Sequence, residues 1–195
     1  NASAMKFGLG ALGEIGRDAA ALGIKRAALF IDRNVAETAP VQMARAALAA
    51  AAEDHAVYGD SRCEPNSESI DDARRFASHE GFDGFVSIGG GSVIDTAKVA
   101  NLLCTHPGDL MDFVNAPIGL AKPIPGPLKP HIACPTTCGT GSETTGIAVV
   151  DLTDVGLKTG IASPLLKPTM AIVDPATTES LPGGVVDLPV FVVRP

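Results

Sequence analysis

Short apolar runs alternate with longer stretches of helix-forming residues along most of the chain. Ala27-Ala28-Leu29-Phe30-Ile31 is an apolar run that stops at Asp32, the pattern of a buried strand. Residues 35–53 are rich in strong helix formers, including the alanine-rich stretch Ala44 to Ala52. His55 to Tyr58 reads as a short strand. Ser67 opens a predicted helix through about His79, with Ser67 placed as its N-cap. Gly84 to Ile88 is the next buried strand and runs into glycines. Ser92 to Leu103 has an amphipathic period, with Val93, Ala97, Ala100 and Cys104 on one face. This β-α-β-α rhythm predicts an α/β fold, a parallel sheet with helices on both faces. Pro107 to Pro130 is rich in Pro and Gly and promises little regular structure. His131 to Pro135 is a further strand. Ile147 to Asp151 and Lys158 to Ala162 read as a strand pair around Asp154-Val155-Gly156. Met170 to Val173 closes the series before Asp174-Pro175.

Composition narrows the classes. The 195 residues suit one domain, and 46% hydrophobic residues suffice for a normal core. A formal charge of −7, with no basic block, argues against nucleic acid as a partner. No apolar run is long enough to span a membrane, and Asn1 to Lys6 lacks the pattern of a secretory signal. Cys63, Cys104, Cys134 and Cys138 match neither a zinc nor a CxxC spacing. They read as reduced thiols, which predicts a cytoplasmic protein. His55, His79, His106 and His131 form no i,i+4 pair and no HExxH, so no metal site is predicted from them. Cys138 has no evident His partner to make it a nucleophile.

Two glycine-bearing segments carry candidate chemistry. A third, Gly8-Leu-Gly10-Ala-Leu-Gly13, matches GxGxxG literally, with Asp32 downstream. The fingerprint requires a buried strand before the first glycine, and only Asn1 to Phe7 is available there. We read it as a turn leading into a helix. Gly89-Gly90-Gly91-Ser92, by contrast, follows a buried strand and opens a helix. Glycines let backbone N–H groups approach an anion, and the helix N-terminus favours negative charge, an arrangement suited to a pyrophosphate. Ser92 is a candidate cap; the plainer reading is a tight turn. Asp95 and Lys98 on the following turns either serve sugar hydroxyls and loop amides or form a solvated i,i+3 pair. Pro135-Thr136-Thr137-Cys138-Gly139-Thr140-Gly141-Ser142-Glu143-Thr144-Thr145-Gly146 offers many hydroxyl donors without positive charge; the plainer reading is a surface linker. Asp32, at a strand end, is placed to accept ribose hydroxyls and repel a 2′-phosphate, or to cap a turn.

With these pieces in place, the sequence resembles the iron-containing (group III) alcohol dehydrogenase family. The resemblance rests on Gly89-Gly90-Gly91-Ser92-Val-Ile-Asp95-Thr96-Ala-Lys98, on Pro135 to Glu143, and on Lys167-Pro168-Thr-Met-Ala-Ile-Val-Asp174-Pro175 followed by Leu181-Pro182. Asp112 to Gly119, Pro127 to Pro130 and Thr144-Thr145-Gly146 look most like hydroxyacid–oxoacid transhydrogenases within it. The resemblance implies a Rossmann-like, dehydroquinate synthase-like N-terminal domain that binds NAD, with NADP disfavoured. Gly89, Gly90, Gly91 and Ser92 would bind the pyrophosphate and Asp32 the adenosine ribose. Asn66, Thr136, Thr137 and Thr140 would line the dinucleotide cleft. Asp95, Ser142, Val149 and Lys158 would lie near the nicotinamide, with Ser142 and Lys158 on the substrate side. The implied reaction is hydride transfer from an alcohol or hydroxyacid such as 4-hydroxybutyrate to NAD, and onward to 2-oxoglutarate. A homodimer is expected.

The tail departs from the family. There the Leu-Pro step leads through a short helix into Gly-x-Asp-x-x-x-His, whose Asp and His are metal ligands. That Asp should fall near position 192, which is Val192, and the sequence stops at Pro195. Pro189 would break the helix, and Asp187 is out of place. We therefore expect a nucleotide-binding domain over 1–182 and a divergent tail over 183–195. The ligands for Fe(II) or Zn(II) and the C-terminal helical domain are expected to be absent, as in a truncated or frame-shifted product. The alternatives are a catalytically inactive NAD-binding module and a metal-independent enzyme like maleylacetate reductase. The cleft side, which would normally meet a helical partner, is expected to expose apolar side chains.

Overall fold

The buried apolar runs become the inner strands of one parallel sheet. The structure is a computed structural model that describes residues 4–51, 54–79, 81–153 and 156–179. Its strands in chain order are β1 (Ala4–Phe7), β2 (Arg26–Ile31), β3 (Asp54–Tyr58), β4 (Gly84–Gly89), β5 (His131–Pro135), β6 (Ile147–Leu152), β7 (Leu157–Ala162) and β8 (Met170–Val173). The helices are α1 (Ile15–Ala21), α2 (Ala39–Ala51), α3 (Ser67–His79), α4 (Gly91–Thr105) and the single turn α5 (Leu110–Phe113). Six strands form the sheet in the order β1-β8-β5-β4-β2-β3, every neighbouring pair parallel. Every residue of β4 and β5 is buried, as strands covered on both faces require.

Alternation within the strands feeds two cores. Leu29, Ile31, Val86, Ile88, Ile132 and Cys134 pack with Ile15 and Ala19 of α1 and with Val41, Ala44 and Leu48 of α2. Ala28, Phe30 and Phe85 point the other way, toward Ala73 and Ala77 of α3 and Val93, Ala97 and Ala100 of α4. A third cluster lies beyond α4. There Val99, Leu102 and Leu103 meet Phe113, Val114 and the underside of a separate antiparallel hairpin, β6–β7, through Ala148, Val150, Leu152 and Ile161.

Several boundaries and roles differ from the sequence reading. The helix over 35–53 begins only at Ala39, because residues 35–38 form a turn, with Val35 N–H and Thr38 N–H held by the carbonyls of Asp32 and Val35. Ser67 is not the cap of α3. Asn66 is: its Oδ1 accepts from Ser69 N–H and its own N–H donates to Ser69 Oγ, both 2.9 Å, a reciprocal capping pair. Nor is α4 amphipathic; from Gly91 to Leu103 every residue but Ser92 is buried, because the sheet, α3 and the hairpin surround it. Within Pro107–Pro130 the turn α5 appears, capped by Asp109 Oδ1 on Met111 N–H at 2.8 Å. Ala4–Phe7, passed over in the sequence, is an edge strand on β8; its Met5 and Phe7 are 57% and 72% exposed, so no buried strand precedes Gly8. The 3₁₀ turn Ala11–Glu14, which contains Gly13, leads into α1, the turn into a helix that the sequence reading expects there. Asp154, Val155, Leu181, Pro182 and the tail 183–195 lie outside the described residues.

Strand order also locates the crevice. From β2 the chain moves outward to β3 and then returns to the other side of β2 as β4. Such reversals open a cleft at the carboxyl ends of the strands, where open α/β sheets bind ligands. Asp32 follows β2, and Gly90-Gly91 follow β4.

Candidate functional site

The glycine run is required by closeness. A Cβ on Gly89 would stand 2.6 Å from Val93 Cγ2, and one on Gly91 would stand 2.8 Å from Thr140 Cγ2. Gly90, extended at φ −72°, is the N-cap of α4, and no side chain caps it. The expected Ser92 cap is therefore corrected: its Oγ accepts instead from Glu64 N–H at 3.3 Å. The fifteen-residue α4 presents an N-terminus with no acidic residue in its first turn, so its partial positive charge is not neutralised there.

The hydroxyl-rich loop after β5 folds over this turn. Thr136 N–H donates to Gly89 carbonyl at 3.0 Å, and Thr137 faces Gly90. The loop then turns through left-handed Gly139 (φ 111°) and Gly141 (φ 65°), conformations that glycine adopts without strain. It is thus an ordered wall and not a linker. Thr136 is buried, whereas Thr140 is exposed at the rim.

The opposite wall is the β6–β7 hairpin, and α4 holds it through a buried ion pair. Lys98 Nζ lies 3.3 Å from Asp95 Oδ1 and donates to Ile147 carbonyl at 2.7 Å; Asp95 Oδ2 accepts from Val149 N–H at 2.9 Å. The reading of Asp95 and Lys98 as a solvated pair is corrected, since the Lys98 side chain is 0% exposed. Burial drives Asp95 up and Lys98 down from their ordinary values, and the attraction between them opposes both shifts. Asp95 thereby fixes the height of β6. Farther along the same edge, Asp151 N–H donates to Pro65 carbonyl at 2.7 Å.

Between these walls lies a cleft of about 240 Å³, lined among others by Gly91, Ser92, Asp95, Thr140, Ser142, Val149 and Lys158. Seven of the thirteen residues singled out in the sequence thus converge there. The other six stand around it. Gly89, Gly90, Thr136 and Thr137 build the turn and loop beneath it, and Asn66 is the α3 cap beside Pro65. Asp32 sits at the end of β2, with Oδ1 accepting from Asn34 N–H at 2.8 Å, which also makes it a turn cap. Lys158 is the cleft's one cation among the described lining residues; it pairs with Glu64, which holds its ammonium above the usual lysine range.

Sequence reasoning missed Glu64, Pro65 and Asp151. Period two along β6 places Asp151 on the face of Val149, so Asp151 could have been found. Glu64 adopts φ 67°, which nothing in an ordinary glutamate announces. Ile147, Val149 and Leu157 are exposed on the hairpin, and Ile118 and Leu120 in the segment after α5. Among the described residues no three His, Cys, Asp or Glu side chains gather as a metal site. All four cysteines are free thiols, and no helix of the described residues is long and apolar enough to cross a membrane.

Known proteins share the sequence pattern and fold of this chain. The family model described as iron-containing alcohol dehydrogenase matches residues 2–175. Hydroxyacid-oxoacid transhydrogenase, mitochondrial, from Mus musculus is 45% identical over 185 residues, 94% of this chain and 40% of that protein. The Xenopus laevis protein of the same name is 46% identical over the same shares. This chain therefore spans about 40% of the length of these relatives. Among solved structures, 1,3-propanediol oxidoreductase superposes with TM-score 0.86 at 27% identity, over 95% of this chain and 47% of that one. Sulfoacetaldehyde reductase from Bifidobacterium kashiwanohense, in complex with NAD+, gives 0.84 at 29% identity, over 94% and 47%.

Proposed function

This chain belongs to the iron-containing alcohol dehydrogenase family, and we propose that it is the nucleotide-holding part, over 1–182, of an oxidoreductase that moves hydride between a hydroxyacid and NAD. The observation that carries this reading is the glycine turn at the head of α4, bare of side chains and of acid, opening into a cleft floored by the hairpin. These residues suit a dinucleotide: the N–H groups at Gly90 to Ser92 would meet the pyrophosphate, and Thr137 and Thr140 would donate to it or to the sugars. Asp32, at the switch point, would accept the adenosine ribose hydroxyls and disfavour NADP. Val149 would pack on the nicotinamide, with Ser142 and Lys158 toward the substrate. Asp95 would act through β6, because both its oxygens are engaged. The bound nicotinamide would supply the hydride acceptor. The chain's part is to orient it and to keep water from its face. Metal chemistry is not assigned to the described residues, which offer no ligand set.

The hydroxyacid, for which 4-hydroxybutyrate is our candidate, and onward transfer to 2-oxoglutarate follow from the likeness to the transhydrogenases, whose names also place them in mitochondria. Titration calorimetry with NAD and NADP tests the core of the proposal. NAD should bind and NADP should bind at least tenfold more weakly; an absence of NAD binding would end it. A second reading is a module that binds NAD but turns nothing over alone. NAD, Fe(II) or Zn(II) and 4-hydroxybutyrate, assayed with this chain, separate the two. Metal-dependent turnover excludes the inactive module. Sedimentation tests the homodimer.

A further inference from the structure

The β6–β7 hairpin is only two strands wide, and such a ribbon is marginal alone in water. Its β6 edge is held by Lys98, Asp95 and Pro65. Its β7 edge is held by one residue of the segment after α5. Asn115 N–H donates to Gly160 carbonyl at 2.9 Å, and Asn115 Oδ1 accepts from Ala162 N–H at 3.1 Å. Backbone and side chain together thus do what a third strand would do.

The segment that presents Asn115 is itself fixed. Phe113 and Val114 are buried in the cluster that takes the hairpin's underside, Ala148, Val150 and Ile161. After Asn115 the chain doubles back: Gly119 N–H donates to Asn115 carbonyl at 3.0 Å, Ala121 N–H to Val114 carbonyl at 2.9 Å, and Lys122 N–H to Asp112 carbonyl at 2.7 Å. A Cβ on Gly119 would stand 2.4 Å from Val114 carbonyl oxygen, so this return admits only glycine without a shift. Asn115 is therefore a fixed clamp reaching out from a packed base.

We propose that Asn115 is a positioning residue for the nicotinamide end of the cleft, acting through β7. Gly160, which it grips, is paired with Val149 across the ribbon, and Lys158 lies two residues before it, opposite Asp151. Loosening the β7 edge displaces the face on which Val149 meets the nicotinamide, while Lys158, at the exposed rim, stays paired with Glu64. The glycine turn, held by β4, β5 and α4, is untouched. This inference rests on the NAD reading above.

The test compares NAD with ADP-ribose, which shares everything but the nicotinamide. Calorimetry on the chain should show wild type binding NAD more tightly than ADP-ribose. Asn115→Ala should lose that difference, about tenfold, with ADP-ribose affinity unchanged. Asn115→Asp keeps the acceptor for Ala162 N–H and should restore NAD affinity. Hydrogen exchange at the Ala162 amide should accelerate in Asn115→Ala and not in Asn115→Asp. If Asn115→Ala does not fold, Asn115→Gln, which moves the carbonyl one bond outward, takes its place. Equal weakening of both ligands, unchanged binding of both, or no NAD preference in wild type overturns the inference. Wild type binding neither ligand overturns the NAD reading itself.

Discussion

The glycine turn at the head of α4 and the β6–β7 hairpin are two walls of one cleft, held by opposite means. The turn is made of backbone, locked between buried strands, and its shape follows from the absence of side chains. The hairpin hangs from side chains as well as backbone: the buried Lys98–Asp95 pair beside the Pro65 carbonyl on one edge, and the Asn115 side chain beside its own N–H on the other. Rigidity is thus placed where a charged, invariant group such as a pyrophosphate would sit. Adjustability is placed at the hairpin, where ligands would differ. The first wall should tolerate no added atom, and the second should tolerate substitution only where charge and hydrogen bonds are kept.

The hairpin's anchor gives the largest expected effect. Lys98→Met leaves the Asp95 carboxylate buried without its cation, a loss of about 3–5 kcal/mol. Melting should fall by roughly 10 °C, followed by circular dichroism. Adding Asp95→Asn removes the orphaned charge while keeping an acceptor for Val149 N–H, and it should recover much of the loss. If the single variant melts like wild type, the pair is not the strut described here.

Acid should weaken the core under α4 next. His131 is fully buried, with Nε2 2.8 Å from Ser87 Oγ, and burial chiefly, with nearby Lys98, pushes its pKa down to about 3 from 6.5. Below pH 6.5 the unfolded chain takes up a proton that the folded chain refuses until about 3. The neutral imidazole's contribution is therefore complete above 6.5 and declines as pH falls, by about 1.4 kcal/mol per unit. Urea unfolding at pH 7 and pH 5 should show this slope, and His131→Gln should flatten it.

Gly89→Ala tests the other wall and should cost less, about 1–3 kcal/mol, because the added methyl group meets the stiff, buried Val93 and α4 must shift. The shift moves the N–H groups of Gly90 to Ser92, so NAD affinity should fall more than tenfold, as read by calorimetry. An alanine variant that binds normally would show that the turn needs no such closeness.

The same contrast explains what the sequence made legible. The parallel sheet, α3 and the glycine turn follow from local patterns: apolar runs of five, a helix read over Ser67 to His79, glycines between strand and helix. The hairpin strands too are legible, as a pair around Asp154-Val155-Gly156. What could not be read was how the hairpin hangs. An exposed Asp95–Lys98 pair is one of two readings the sequence leaves open, because helical spacing brings i and i+3 together whether or not water is present. Only the packing of β6 on α4 makes that pair dry. Asn115 sits in a segment without periodicity, and its hydrogen bonds reach 45 to 47 residues along the chain. Asn66 was placed on the cleft but serves first as a cap, a task of the residue just before the helix that reading Ser67 as the cap obscured.

Lys158 offers the smallest effect on folding and the finest probe of the comparison. Its pair with Glu64 spans the mouth of the cleft between two exposed side chains, where ion pairs add little stability. Lys158→Met should therefore leave the melting temperature of the chain unchanged. Its affinity for NAD should nevertheless fall by about tenfold, because Lys158 is the cation lining the cleft and a dinucleotide brings negative charge into it. Raising the salt concentration should narrow the gap between wild type and variant, since the contribution is Coulombic and open to solvent. Glu64→Gln should act in the opposite sense and tighten binding a few-fold, because it frees the ammonium for the ligand. If both substitutions leave NAD affinity unchanged, the outer rim of the hairpin takes no part in binding, and the adjustable wall ends at Val149.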